Sequence, residues 1–274
     1  MVRLPHGGLS MALTPAAGSG CNASSTPPPP TRSPRPVNSE VEWDRFDPHA
    51  YVRHNYSALR ADDREILCRV RDFFAEAKLS DARCVDVGSG ANIYPVLPVL
   101  PFAHTVDLCE WSTANVSWLR TQVDRYDELW DPYWQVCAEH PAFSALTDPR
   151  GRLAQVGRVR RASVFDLPRH AWDAGTMFFV ACSISADRAE SERAVARFLG
   201  ALRPGSPFAA TFMLGSRGYS VGQRWFPAVQ LRRAEVEASV AVGADDVDFH
   251  EVRPKPPLRD GYLTMLLVTG RTRG

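Results

Sequence analysis

At 274 residues and 45% hydrophobic content, the chain can bury one sizeable core, a single large α/β domain with extensions. A formal net charge of +1 excludes the strong field expected of a nucleic-acid or anionic-membrane binder, and no apolar run approaches the roughly 18 residues of a membrane span. The six cysteines are scattered without Cys-x-x-Cys pairs or His-rich spacing, which argues against a metal site and for reduced thiols in the cytoplasm.

Lys78 and Lys255 are the only lysines, and with abundant Ala, Pro and Arg this reads as the coding bias of a GC-rich bacterial genome. Residues 1–40 carry Pro27 to Pro30 in a row amid Ser, Gly and Thr. Such a segment cannot bury enough surface to offset its ordering entropy, so a disordered extension is expected there. Leu9 to Leu13 is too short for a secretory core and Pro15 interrupts it, so Cys21 is not read as a lipid-attachment site. The folded domain is expected over 41–274, beginning with a cap over 41–60. Phe46-Asp47-Pro48 leads there into His49–Leu59, which carries Tyr51 and Tyr56. Taken alone, those tyrosines read equally well as packing a helix onto a sheet. Over Asp62–Ala77, apolar Ile66, Leu67, Val70, Phe73 and Phe74 recur at helical spacing.

The chain is organised around Cys84 to Tyr94. Cys84–Val87 is a short β-branched run that reads as a buried strand. Gly88-Ser89-Gly90 then lets the backbone turn sharply against a ligand, and the residues after it can open a helix with an anion-attracting end. An acid within the strand (Asp86) followed by Gly-x-Gly is the pattern of S-adenosylmethionine (SAM) methyltransferases. The dinucleotide pattern Gly-x-Gly-x-x-Gly fails at Ile93, which counts against an NAD-dependent oxidoreductase.

Pro95, Pro98 and Pro101 make any helix over Tyr94–Leu100 short or irregular. Phe102–Leu108 reads as the second strand, and an acid at its end can accept bonds from both ribose hydroxyls of a nucleoside. Glu110, just past the strand and beside a helix start capped by Ser112 or Thr113, is the preferred candidate, with Asp107 as the alternative. A helix follows over Thr113–Tyr126. Residues 127–158 hold Trp130, Tyr133, Trp134 and Phe143 with little regular period, and are expected to form a lid-like insertion. Arg160–Pro168 reads as the third strand and its exit loop, and the apolar run Met177–Cys182 as the fourth, central strand. A helix over Arg188–Leu202 stops at Pro204-Gly205, and Phe208–Leu214 is the fifth strand. A glycine-containing loop over 215–226, a helix over Leu231–Val242 and an antiparallel pair, Asp246–Arg253 and Tyr262–Thr269, complete the chain. The alternation implies a Rossmann-like α/β fold, a mostly parallel sheet of about seven strands with an antiparallel last strand and helices on both faces.

Several motifs now line up in order, and the chain resembles the nicotinamide/phenylethanolamine/thioether methyltransferase family from Phe46 to Val268. Phe46-Asp47-Pro48-x-x-Tyr51 with Tyr56 resembles the family's N-terminal cap, where both tyrosines close over SAM. Asp86-Val87-Gly88-Ser89-Gly90-x-x-Ile93-Tyr94 resembles its Asp-Ile-Gly-Ser-Gly-Pro-x-Ile-Tyr motif, with Tyr94 near the methionine part. Glu110-Trp111-Ser112-x-x-Asn115 resembles its acid-Tyr-Ser-x-x-Asn element, which supports Glu110 as the ribose ligand and adds Asn115. The resemblance also implies cofactor contacts by Val180 and by the loop where the family carries Asp-Val. This chain has Ser163-Val164 there, with Asp166 three positions later, so either Ser163 or Asp166 meets the adenine amine. Where the amine methyltransferases place a substrate-orienting acid, the alignment puts Phe212, while Tyr219 matches the substrate-side tyrosine; the amine substrates are therefore not carried over.

SAM is already activated, so the protein mainly holds nucleophile, methyl carbon and sulfur in line in a dry site. No residue stands out as a general base, and His49, His54 and His170 are read as surface histidines. The expected function is methyl transfer to a small-molecule acceptor, an amine or ring nitrogen, with Tyr51 and Tyr219 on the substrate side. No nucleic acid or membrane partner is expected, and the chain is expected to act as a monomer. The alternative is a non-catalytic SAM-binding protein of regulation or assembly.

Overall fold

The computed structural model describes residues 36–253 and 264–274. The Pro-rich start, with Cys21, and the Pro-rich loop before Thr264 lie outside the described residues. Two 3-10 turns, Asn38–Glu40 and Trp43–Arg45, precede α1 (Pro48–Asn55) and α2 (Ala61–Glu76). Asp47 caps α1 by accepting from Ala50 N–H (2.9 Å), with Pro48 in the first turn, where its missing donor costs nothing. In α2, Ile66, Leu67, Val70 and Phe74 are buried, as their spacing requires of one helix face.

β1 (Ala82–Val87) and β2 (Ala103–Glu110) are joined through a 3-10 turn at Tyr94–Val99 instead of an α-helix. Pro95 and Pro98 supply no N–H and clash with a helical turn, so the helix that the glycine turn could have opened does not form. β2 runs two residues further than expected, through Glu110, because Glu110 is still in register with Arg161 of β3 (Gly157–Arg161). The connection between these strands holds α3 (Thr113–Asp124), α4 (Asp131–Ala138), α5 (Pro141–Ser144) and α6 (Pro149–Val156). The expected lid at 127–158 is thus a 3-10 turn (Glu128–Trp130) and three helices, with Trp130, Tyr133 and Phe143 fully buried. The frequent prolines there mark helix first turns, which obscures the apolar period.

β4 (Ala174–Phe178), α7 (Arg188–Ala201) and β5 (Pro207–Leu214) come next. The glycine-containing stretch after β5 folds into a hairpin, β6 (Gly218–Val221) and β7 (Arg224–Pro227), ahead of α8 (Arg233–Ala241), β8 (Ala244–Val252) and β9 (Thr264–Thr272). The seven-stranded sheet has the order β3-β2-β1-β4-β5-β9-β8, with β9 antiparallel to both neighbours and the rest parallel. Strand order reverses between β1 and β4. At such a switch point the loops leaving adjacent strands diverge, and a crevice opens beyond their carboxyl ends.

Candidate functional site

That crevice is a cleft of about 960 Å³, its open mouth included, lined from the ends of β1, β2, β3, β4 and β5. Gly88, Ser89 and Gly90 form its floor. Gly88 and Gly90 have φ of +66° and +59°, and a Cβ on Gly88 would lie 2.6 Å from Val180 Cγ2. Both the backbone angle and the close approach therefore require glycine at 88. Val180 belongs to the turn leaving β4, and the residue before it, Phe179, stands at φ +60°, a rare angle for a bulky side chain. Phe179 N–H donates to Thr211 O (2.8 Å) and Oγ1 (3.1 Å), which anchors that turn to β5.

Glu110 sits at the cleft edge, 8% exposed, and accepts from Gly90 N–H (2.8 Å) and Ser112 N–H (2.7 Å). Burial raises its carboxyl above the usual range, and the N–H groups of Ser112, Gly90 and Trp111 with the Asn115 side chain oppose that rise. Asn115 lines the cleft with its Oδ1 buried and without a hydrogen-bond partner. Its position follows from Ser112, which caps α3 by accepting from Asn115 N–H (3.4 Å). Asp107, the competing acid, accepts from Arg160 Nε (2.6 Å) and Trp172 Nε1 (2.8 Å) and does not line the cleft.

Asp86 also lies off the cleft. It is 1% exposed and accepts from Thr176 Oγ1 (2.7 Å) across the β1–β4 pairing, and burial pushes it up to about 7. It supports the turn rather than lining it, because its carboxylate is committed to Thr176 of the neighbouring strand. Tyr94 is likewise fully buried behind the lining, stacked on Tyr133 at 5.5 Å. Ser163 and Val164 line the cleft, whereas Asp166 is exposed and outside it. The reason is local: Ser163 Oγ caps a 3-10 turn over Val164–Asp166 by accepting from Phe165 N–H (3.2 Å), which swings Asp166 outward.

The other half of the cleft is aromatic. Tyr51 and Tyr56 meet edge to face at 5.8 Å, and Tyr56 Oη accepts from Asn92 Nδ2 (3.1 Å). The covering segment begins before the expected cap, at Asn38, and adds Trp43 and Phe46 to the lining. It is fastened by Asn38 N–H to Glu190 Oε2 (2.7 Å) and by Thr113 N–H to Asp44 Oδ1 (2.7 Å). Trp43 stacks on Phe226 of β7 at 5.5 Å and Tyr219 of β6 stacks on the same ring at 5.6 Å. Met213 lines the wall at the end of β5, while Phe212, matched by alignment to the substrate acid, is fully buried outside it. None of residues 127–158 lines the cleft; Trp130 instead packs behind Tyr56 at 5.5 Å.

Sequence reasoning missed Asn38, Trp43, Asn92, Phe178, Phe179, Ser183, Ile184 and Met213 among the lining residues. Only Asn92, inside the glycine motif, had a local signal. Among the described residues no group of acids, histidines and cysteines could hold a metal ion, and no helix is long and apolar enough to cross a membrane.

The sequence profile of the NNMT/PNMT/TEMT family matches residues 37–256. Phenylethanolamine N-methyltransferase of Rattus norvegicus is 26% identical over 254 residues, covering 82% of this chain and 87% of that protein. Indolethylamine N-methyltransferase of Oryctolagus cuniculus is 26% identical over 199 residues, covering 64% and 70%. Among solved structures, N-methyltransferase NodS of Bradyrhizobium japonicum in complex with S-adenosyl-L-homocysteine superposes with a TM-score of 0.52 at 8% identity, covering 78% of this chain and 89% of that one. The DhpI–SAH complex does so with 0.53 at 15% identity, covering 82% and 91%.

Proposed function

The chain belongs to the NNMT/PNMT/TEMT family, and on that premise we propose that it transfers the methyl group of SAM to a nitrogen of a small-molecule acceptor. It is a SAM-dependent methyltransferase, and SAM is its cofactor. The described residues fit that cofactor: a glycine floor that a Cβ would fill, a buried carboxylate at the second strand's end, and the orphaned Asn115 Oδ1. When bound, SAM supplies an electrophilic methyl on a sulfonium, open to in-line attack by a lone pair.

Gly88, Ser89 and Gly90 hold the cofactor by backbone approach, and Glu110 accepts from its ribose hydroxyls with Asn115 alongside. Ser163 and Val164 meet the adenine, with Asp166 turned away from it, and Val180 closes the floor. Tyr51 and Tyr56 cover the reacting end. Asp86 and Tyr94 act from behind, by stiffening the turn and its following segment. Trp43, Phe46, Met213 and Tyr219 form the acceptor wall and exclude water.

The composition of that wall carries the nitrogen reading. Among the described lining residues there is no histidine or lysine, and the one carboxylate, Glu110, is held by Gly90 and Ser112. With no free base among the described lining residues to remove a proton, the cleft suits an acceptor that brings its own neutral lone pair, as an amine or ring nitrogen does. The names of the N-methyltransferase relatives point the same way. The free thiols Cys68, Cys84, Cys109, Cys137 and Cys182 suit a cytoplasmic enzyme. The test is S-adenosylhomocysteine release by the full chain across a panel of amines, pyridines, thiols and phenols. Release with nitrogen acceptors supports the reading, and release with phenols or thiols alone refutes it. Tight SAM binding without turnover on any acceptor would favour a binding protein.

A further inference from the structure

Behind the cleft, the first turn of α2 carries a buried carboxyl that no step above uses. Asp63 is 3% exposed, and burial with the adjacent Asp62 charge pushes it up to about 7. Its charge reaches three phenols. The Tyr94 hydroxyl lies beside it without meeting hydrogen-bond geometry, and Tyr133 and Tyr56 both feel its charge. The other charged neighbours are Asp62 and Arg60, and Arg60 grips Asp62 through Nε (3.1 Å) and Nη2 (3.2 Å). The hydroxyls of Tyr94 and Tyr133 are buried without hydrogen-bond partners.

This cluster is coupled to the cleft by packing. Tyr94 meets Tyr56 edge to face at 5.9 Å and Phe178 at 5.6 Å, and Tyr56 Oη is bonded to Asn92 Nδ2. Tyr56, Phe178 and Asn92 all line the cleft. A charge on Asp63 therefore acts through apolar rings rather than through water, where its field is weakly screened. SAM and its product S-adenosylhomocysteine share every group except the transferred methyl and the positive charge it confers on sulfur. A negative charge behind the wall acts on that one difference.

We propose that Asp63 is a positioning residue whose carboxylate, held behind the Tyr56–Asn92 wall, makes the cleft prefer cationic SAM over its neutral product. The proposal rests on the reading that the cleft holds SAM. In turnover, methyl transfer carries the positive charge from sulfur to the acceptor nitrogen, so this attraction holds SAM and is not felt by its neutral product.

The experiment is calorimetric titration of the full chain with SAM and with S-adenosylhomocysteine at pH 6 and pH 8. It is run on wild type, Asp63→Asn, Asp63→Glu and Asp86→Asn, with thermal melting to check folding. The expected result is a SAM-to-product affinity ratio that rises about tenfold from pH 6 to pH 8 in wild type. Asp63→Asn should hold the ratio at its low-pH value, and Asp63→Glu should restore the rise. A flat wild-type ratio overturns the proposal. So does a rise that survives in Asp63→Asn and vanishes in Asp86→Asn, which would place the charge on the strand. Binding of neither ligand by folded wild type would instead refute the cofactor site itself.

Discussion

The two halves of the cleft are built on different principles. The cofactor half is assembled from backbone turns and a few polar side chains at the ends of adjacent parallel strands, where register alone brings Gly88–Gly90 against Glu110. The half proposed to take the acceptor is assembled from rings that lie far apart in the chain: Trp43, Phe46 and Tyr51 near its start, Tyr219 and Phe226 some 170 residues later. One half depends on hydrogen bonds to a charged group and on absent side chains, so single changes should abolish it. The other depends on shared packing, so single changes should degrade it by degrees.

The comparison breaks most sharply at Gly88. Gly88→Arg must place a Cβ against Val180 at a left-handed backbone angle, and calorimetry should show SAM affinity lowered more than about 100-fold. Glu110→Ala leaves two N–H groups and the ribose without their charged acceptor; SAM affinity should fall about 100-fold while the chain stays folded by circular dichroism. A retained micromolar affinity in either variant would remove the site from this crevice.

A third effect is read through stability. Asp63 and Asp86 both titrate near 7 in the fold and near 3.8 when unfolded, so between those values the native state binds the extra protons. Stability is therefore greatest below the ordinary carboxyl range and is lost as pH rises toward about 7, levelling off above it. Melting of wild type from pH 5 to pH 8 should show a decline on the order of a few kcal/mol, smaller in Asp63→Asn. An equal decline in both proteins would mean that Asp63 does not titrate in that window.

On the acceptor side the effects should be smaller. Trp43→Ala unstacks Phe226 and opens the wall; KM for a nitrogen acceptor should rise about tenfold, with SAM affinity changed less than about threefold. Equal losses for acceptor and SAM would show that the covering segment serves the whole cleft rather than one half. Tyr219→Phe keeps the ring stack on Phe226, so SAM affinity should change less than about threefold, with any loss falling on KM for the acceptor.

The same division runs through what was legible beforehand. The glycine turn and Glu110 stand in short stretches whose spacing carries their geometry, Asn115, Val164 and the choice of Ser163 or Asp166 came from the family resemblance, and the cleft includes all but Asp166. Asp86 and Tyr94 belong to the same motif yet lie behind the surface, because side-chain direction at a strand end and after a proline turn is decided by packing. Residues 127–158 were misleading for a related reason: loops and proline-started helices share a composition, and only burial of Trp130 and Tyr133 tells them apart.

By itself the sequence determined the α/β alternation, the strand–glycine–strand core of the crevice and the cofactor class, since each rests on periods and spacings of a few residues. Tertiary structure showed why Glu110, which the sequence preferred, faces the cleft and Asp107 does not, by committing Asp107 to Arg160 and Trp172. It also decided where Asp166 points, and that Trp43, Met213 and Tyr219 share a wall. Those outcomes depend on which distant surfaces bury one another, and no local pattern encodes the partner.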